Sequence, residues 1–529
     1  MGVLIGIDFG KKRTGLAHTD TENIIDSGLT TVETHKALSF LVDYQKETSI
    51  IKFVVGKPIQ RDGNRSKVEA DILLFIGRLK KTFPTGKEIP FLGGDYAKMC
   101  QLTKEAINSD NEVIFEGSFL VDGVFIRVDV MQRNPDGWDI FEVKSSSSLK
   151  PIHKEDASIQ WHILKRVKDL KLKDMYLVTL DKTYKRGKEL QLEGVFKRHP
   201  LTQYVESNQE QTDTTLMNLK MISNMDSPPD ERISATPNAK GKCTFNEHCW
   251  PKGLGETNSI FKLYNLRSKK KFELLESGIE TFEDIVDIDS YSEIQQIQIN
   301  STINNKPFLN KKIIDDFVSK LSYPISFFDF ETFSEPIPRF KNQRPNERIP
   351  FQYSLHIQNK PNEDVNTKEN HFEFLGDFKN DPRPDIAKSL IENIPKSGSI
   401  ITYYKPFEKG VIKDLSNFCP DIKRELLGLN ARIMDLMIPF AKGGYYHPEF
   451  DGSFSIKKVL PALCKDNDKL NYKNLNISNG GMASSAFREL RNKSGEEAKQ
   501  VRKDLLKYCW LDTYAMYAIY SKLLLIIDT

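Results

Sequence analysis

Phe327–Thr332 reads FFDFET, and Tyr508–Thr513 reads YCWLDT. The first stretch decides the reading of the C-terminal part of the chain. Asp329 and Glu331 follow the apolar run Ile325–Phe328 and lie two residues apart, so on a strand they share one face. Two carboxylates so placed can bridge hard divalent cations. Magnesium takes oxygen ligands, and two such ions about 3.5–4 Å apart activate water and stabilise the leaving oxygen of a phosphodiester. Asp512 stands far downstream in a helical pattern with Tyr508 four residues before it, which turns both side chains the same way. Between them, Ile400–Glu408 (IITYYKPFE) reads as a strand and a loop, with Phe407–Glu408 opening a helix, so Glu408 is placed to add a third carboxylate. Asp435 in Arg432–Leu436 (RIMDL) adds another acid.

Working outward, 529 residues exceed a single hydrophobic core and imply about three or four domains. A composition of 39% hydrophobic and 28% charged residues is that of folded protein. A net charge of +3 excludes a strongly basic nucleic-acid coat, so nucleic-acid contacts must come from local patches. Six scattered cysteines are not a disulfide framework, and a reducing cytoplasm is the expected compartment. The start, MGVLIGIDFG, turns polar too early for a signal peptide. No apolar run approaches the roughly 20 residues of a membrane span, so no membrane partner is expected.

The strand D-x-E with the helical Y-x-x-x-D resembles the DEDD superfamily of 3′→5′ exonucleases, whose fold is RNase H-like. Asp329 and Glu331 match its first motif, Glu408 the second and Asp512 the third, with Tyr508 as in the tyrosine variant. The family's second acid is usually Asp, so Glu408 is one methylene longer. The resemblance implies that the carboxylates hold two Mg²⁺ or Mn²⁺ ions and that Tyr508 orients the attacking water. Ile349–Ile357 (IPFQYSLHI) and Gly452–Leu463 (GSFSIKKVLPAL) further resemble a bacterial family that joins a RecB-like nuclease domain to such an exonuclease-like domain.

In the middle of the chain, Arg127–Gln132 (RVDVMQ) and Asp139–Ser148 (DIFEVKSSSS) put Asp129 on one strand and Glu142 and Lys144 on one face of the next. Two acids can bind a metal, and the lysine can position water or phosphate. This is similar to the PD-(D/E)xK nucleases of the RecB and CRISPR-associated group, to which Glu116 on the preceding strand and Gln160 on the following helix also correspond. That group often carries a 4Fe–4S cluster on four cysteines. KCTFNEHCW supplies only Cys243 and Cys249, and a cluster needs four thiolates. Two unligated thiols, or a lost cluster, is the expectation, and a zinc site would also be short of ligands.

Ile5–Asp20 (IGIDFGKKRTGLAHTD) and Val54–Gly63 (VVGKPIQRDG) resemble the YqgF/RuvX family, RNase H-like proteins associated with Holliday-junction resolution and maturation of the small-subunit rRNA precursor. Asp8 ends a buried strand, as that family requires. The family's later Asp-Glu-Arg motif and final Asp are missing, because the chain runs on as KEIPFLGGDYAKMC, where Asp95 opens a helix. One carboxylate does not make a two-metal site. Ser259–Ile285 resembles a helix-hairpin-helix, with Gly278 at a turn whose N–H groups would face a phosphate. Arg267, Lys269, Lys270 and Lys271 form a basic patch there, suited to backbone phosphates.

The expected fold class is α/β and multidomain, with RNase H-like folds at both ends, the N-terminal one incomplete. Its segments are 1–91 (partial YqgF/RuvX-like), 92–250 (RecB-like), 251–315 (small helical connector) and 316–529 (exonuclease-like). The resemblances imply a metal-dependent nuclease acting on DNA in preference to RNA. The alternatives are a nucleic-acid-binding scaffold with decayed sites and a YqgF-type nuclease of rRNA maturation.

Overall fold

The computed structural model describes residues 2–9, 12–19, 26–55, 86–109, 111–228, 233, 246–250, 254–255, 258–465 and 470–528. The chain divides into two compact units. One comprises Met1–Pro228 with Pro336–Asn346, the other Pro229–Glu335 with Glu347–Thr529.

The first unit holds two sheets. The N-terminal one contains β1 (Gly2–Phe9), β2 (Arg13–Thr19), β3 (Asp26–Glu33) and β4 (Ser49–Val55) in the order β3-β2-β1-β4. The pairs β1/β2 and β2/β3 are antiparallel, and β1/β4 is parallel. Alternation in β1 sends Val3, Ile5 and Ile7 into a core with Leu16, and with Ala37 and Leu41 of helix α1 (Ala37–Glu47). The sequence pattern predicts a helix over Thr34–Glu47, which opens as a 3-10 turn over Thr34–Lys36, and it does not mark the strand β3. Ser66–Thr82, which the sequence pattern predicts as a helix, and most of the polar stretch Asn224–Lys242, which reads as a long loop with two adjacent prolines, lie outside the described residues.

The second sheet of this unit has the order β10-β9-β8-β7-β6-β5, from β5 (Lys87–Glu88), β6 (Val113–Val121), β7 (Val124–Asn134), β8 (Gly137–Val143), β9 (Leu172–Leu180) and β10 (Phe196–Pro200). Strands β6, β7 and β8 form an antiparallel meander, and β9 joins parallel to β8. A parallel neighbour needs a crossover. Helix α2 (Tyr96–Ile107) precedes the meander, and helix α3 (Pro151–Leu164) makes the crossover from β8 to β9. Pro151 sits in the first turn of α3, where its missing N–H costs nothing. Met99, Ile114, Val128, Ile140, Trp161 and Leu177 fill the core.

The second unit contains helix α4 (Ser268–Glu276), a two-stranded ribbon of β11 (Phe308–Leu309) with β17 (Tyr445–Tyr446), and the main sheet. That sheet comprises β12 (Ile325–Phe333), β13 (Ile349–Gln358), β14 (His371–Leu375), β15 (Ile400–Thr402) and β16 (Ile433–Asp435), in the order β14-β13-β12-β15-β16. The pairs β12/β13 and β13/β14 are antiparallel, whereas β15 and β16 run parallel to β12. All ten residues of β13 are buried, the pattern of a strand covered on both faces. Helices α5 (Arg383–Asn393) and α6 (Pro406–Phe418) contribute Ile386, Leu390, Val411 and Leu415 to a core shared with Phe328, Phe330 and Tyr353. Helices α7 (Ile456–Leu463), α8 (Gly480–Glu489) and the long α9 (Gly495–Asp528) complete the unit. Among the described residues, no helix is long and apolar enough to cross a membrane.

Candidate active site

Central strand β12 turns Phe328 and Phe330 into the core, and alternation puts Asp329 and Glu331 on the opposite face. Helix α9 carries Tyr508 and Asp512 one turn apart, both buried. Asp329, Glu331 and Asp512 each offer a carboxylate oxygen within 4.8 Å of the others, and among the described residues no other three His, Cys, Asp or Glu residues come so close. Glu408 is the third residue of α6, in its first turn. It lines the same cleft, of about 550 Å³, with Tyr264, Tyr403, Tyr404, Phe454 and Lys457. Glu408 is only 2% exposed, and its Oε2 has no hydrogen-bond partner. The four acids marked out by the FFDFET, KPFE and YCWLDT stretches therefore share one cleft, three as a tight group and Glu408 beside them.

The electrostatics follow from burying like charges together. Burial, then Asp512, Glu408 and Glu331, holds the Asp329 carboxyl well above its ordinary range. Burial and Asp512 raise Glu331 in the same way, against the pull of Lys457. Glu408 is pushed up to about 8 by burial, although its own backbone N–H and Arg348 oppose the shift. Asp512 rises only to about 6, because the phenols of Tyr472 and Tyr508 donate to it and Lys457 lies near. Tyr472 reaches Asp512 Oδ1 at 2.6 Å. Buried anions without partner cations are costly. An orphaned carboxylate oxygen beside a three-carboxylate group is the oxygen-rich donor set that suits Mg²⁺ or Mn²⁺.

Asp435 does not join the group as a ligand. Its Oδ1 accepts the N–H groups of Tyr404 and Met437, and its Oδ2 accepts that of Lys405. A carboxylate so engaged shapes the loop ahead of Glu408. Sequence reasoning also passed over Tyr472 and Lys457. The Lys457 ammonium donates to the Ser478 carbonyl at 2.7 Å and lies 5.5 Å from the Tyr472 ring centre. No spacing rule reaches Tyr472, which lies outside any long helix or strand of the site. Gly480 opens α8 against Glu331, and a Cβ there would come within 3.3 Å of Glu331 Oε2.

The middle set is also brought together, but differently. Phe115 pairs with Val130, Gly117 with Val128, and Val130 with Phe141, so Glu116, Asp129 and Glu142 occupy adjacent positions across three strands. Glu116 sits at φ +58 where the β6/β7 pairing skips a residue, and its carboxylate pairs with Arg127 at 3.1 Å. Asp129 Oδ2 accepts the Val143 N–H at 2.6 Å. Glu142, 4% exposed, accepts from Gln160 at 2.7 Å and from the Lys144 ammonium, which also reaches Asp156 at 2.7 Å. Burial pushes Glu142 up to about 7, with Lys144 opposing and Asp129 adding. Each of these acids already has an internal donor.

Asp8 lies on β1 opposite Gly15. Asp95 caps α2, accepting the Lys98 N–H. Of the cysteine pair, Cys249 is exposed, and Cys243 lies outside the described residues. In the connector, α4 is followed by Gly278 at φ +81, but the hairpin N–H groups are taken. Gly278 and Ile279 donate to the Leu275 and Leu274 carbonyls, and Glu280 and Thr281 to Asp284. They do not face a phosphate, and a short 3-10 turn, Phe282–Asp284, stands where a second helix was expected. The basic patch is also partly spent. Lys271 donates to the Phe261 carbonyl, Lys269 and Lys270 lie beside Glu273, and Arg267 precedes α4.

Two family models match the chain. One, described as a domain of unknown function (DUF2779), covers residues 326–455, which include Asp329, Glu331 and Glu408. The other, RuvX, described as a Holliday junction resolvase, covers residues 2–93. Relatives named “Putative pre-16S rRNA nuclease” match the same N-terminal part. That of Bacteroides fragilis is 42% identical over 84 residues, which is 16% of this chain and 61% of the relative. That of Porphyromonas gingivalis is 44% identical over 85 residues, 16% of this chain and 62% of the relative. The chain thus spans about three-fifths of the length of these curated relatives. Its N-terminal segment is RuvX-like, with an RNase H-like strand order, and its C-terminal part carries a DUF2779 domain.

Proposed function

We propose that the chain is a metal-dependent nuclease whose working site is the C-terminal carboxylate cleft, with exonuclease-like removal of nucleotides from a 3′ end, DNA favoured. The observation that carries this reading is the cleft itself. Four acids from one strand and two helices meet there, three within 4.8 Å of one another, with one buried oxygen unpartnered. The strand order, three antiparallel strands followed by two parallel to the first, supports an RNase H-like fold for this domain. Asp329, Glu331, Asp512 and Glu408 would hold Mg²⁺ or Mn²⁺. When bound, such ions supply a nucleophilic water at neutral pH and charge stabilisation for the phosphoryl oxygens. Tyr472 and Tyr508 fix Asp512, and Tyr508, as the resemblance to the tyrosine variant implies, would orient the attacking water. Lys457 supplies a fixed positive charge beside Glu331 and Asp512.

The middle set, Glu116, Asp129, Glu142, Lys144 and Gln160, is proposed as a second, RecB-like PD-(D/E)xK site. An α-β-β-β-α-β order around these residues supports it. The RuvX-like segment favours a nucleic-acid role for the N-terminal unit, including the rRNA-maturation alternative. Asp8 is the one acid that sequence reading assigns to its site. The test is Mg²⁺- or Mn²⁺-dependent degradation of labelled single- and double-stranded DNA and RNA by wild type, Asp329→Ala and Glu142→Ala. Loss of activity in Asp329→Ala is expected. Unchanged activity in both variants contradicts the reading.

A further inference from the structure

Tyr404 is the exposed tyrosine among those described on the wall of the carboxylate cleft. Tyr403, its neighbour, donates its hydroxyl to the Phe454 carbonyl at 2.7 Å. Tyr404 lines the same cleft with Asp329 and Glu408, yet it is 56% exposed and its hydroxyl has no partner among the described residues. Its backbone is left-handed, at φ +71. Bulky L-residues avoid that conformation because Cβ crowds the backbone, and glycine adopts it freely.

The surrounding structure enforces the strain. Buried Asp435, at the end of β16, accepts the Tyr404 and Lys405 N–H groups at 3.0 Å each and ties the loop to Met437. Phe407 N–H closes the turn onto the Tyr404 carbonyl at 3.2 Å. A buried carboxylate thus holds an exposed ring in an unfavourable conformation at the edge of an acidic cleft. Strain that a protein maintains at such a place marks a functional position.

We propose that Tyr404 is a stacking platform for the unpaired nucleobase of a strand end seated in the carboxylate cleft, an assignment that rests on the nuclease reading above. The lining supports this ligand class. Tyr264, Phe407 and Phe454 stand with Tyr404 on the wall, and Lys457 is the one cation among the described lining residues. Such a wall reads ring faces rather than phosphate charge. Stacking tolerates every base because each has a π-face, so the platform selects unpaired ends without selecting sequence. Bases in an intact duplex keep their faces covered by their neighbours.

Fluorescence anisotropy with a labelled oligodeoxythymidylate, with Ca²⁺ in place of Mg²⁺ to suppress hydrolysis, tests this. Tyr404→Ala and Tyr404→Gly should weaken binding about 5- to 150-fold, the range that base–aromatic stacking supplies, and Tyr404→Trp should retain it. Tyr404→Gly should also hold or raise Tm, because glycine takes the left-handed backbone without strain and this offsets its greater freedom in the unfolded chain. Wild-type affinity in Tyr404→Ala and Tyr404→Gly overturns the platform and leaves the nuclease reading intact. Weaker binding with a lowered Tm in Tyr404→Gly also overturns it, assigning the ring to packing. If the wild type itself does not bind the probe, the nuclease reading fails and the platform with it.

Discussion

The N-terminal and C-terminal sheets begin from the same plan. In each, three antiparallel strands are joined by a fourth strand parallel to the first, giving β3-β2-β1-β4 at one end and β14-β13-β12-β15 at the other. Each first strand carries a candidate acid, Asp8 on β1 and Asp329 on β12. The difference lies in what the following elements deliver. After β15, helix α6 brings Glu408, and after a fifth strand the long helix α9 brings Asp512 and Tyr508. Strand order alone therefore does not make a site. The C-terminal acids come from elements far along the chain, whereas sequence reading assigns Asp8 alone to the N-terminal sheet.

The largest effect that sharpens this comparison is expected at Asp512. Asp512→Asn keeps the shape of the side chain but removes a charge from the three-carboxylate group, and should lower metal-dependent hydrolysis by about a thousand-fold or more, the scale of about 4 kcal/mol of transition-state stabilisation. Isothermal titration with Mn²⁺ alone should show the matching loss of a binding site. Next comes Tyr472→Phe, which deletes only the hydroxyl donated to Asp512. Partners one step removed from a metal typically matter by about 10- to 100-fold, so Mn²⁺ affinity should fall by that factor while the melting temperature holds.

A smaller effect is the pH dependence of stability. His356 and His371, on neighbouring strands β13 and β14, are lowered by burial to about 3 and about 4 from an ordinary value of 6.5. The unfolded chain binds their protons more readily, so stability is intact above pH 6.5 and falls as pH drops toward 4. The slope is at most about 1.4 kcal/mol per pH unit for each histidine. Glu408 acts in the opposite direction. Raised to about 8 from 4.5, it stabilises the metal-free fold most fully below pH 4.5, and that contribution is lost as pH rises through 8. In metal-free melting curves, Glu408→Gln should remove a loss of stability that wild type shows as pH rises from 4.5 to 8, while the histidine-driven decline below pH 6.5 stays in both. The smallest effect is expected in the N-terminal sheet, where Asp8→Ala should leave hydrolysis and Mn²⁺ binding by the C-terminal cleft unchanged.

Where the sequence was legible, a short-range pattern carried the signal. Two-residue alternation put Asp329 and Glu331 on one face, and four-residue spacing put Tyr508 above Asp512. The strand, loop and helix start in IITYYKPFE marked Glu408 in the same way. The residues that tune the cleft were not legible for the same reason. Tyr472 reaches Asp512 from a short 3-10 turn, and Lys457 acts on it through charge alone, from a helix whose pattern reads as ordinary amphipathic packing. Asp435 looked like another ligand because sequence shows the acid but not the three N–H groups that occupy it. The hairpin at Gly278 failed similarly, since its glycine was visible and the carbonyl and Asp284 partners of its N–H groups were not.

The central claim is that hydrolysis belongs to the C-terminal carboxylate cleft and not to the RuvX-like segment. It is tested most directly by measuring Mn²⁺-dependent shortening of a 5′-labelled single-stranded oligonucleotide by wild type, Asp329→Ala and Asp8→Ala. The expected result is a progressive ladder with wild type and Asp8→Ala, and loss of that 3′-end ladder with Asp329→Ala, apart from any cleavage by the middle site. Full activity in Asp329→Ala together with loss in Asp8→Ala would contradict the account.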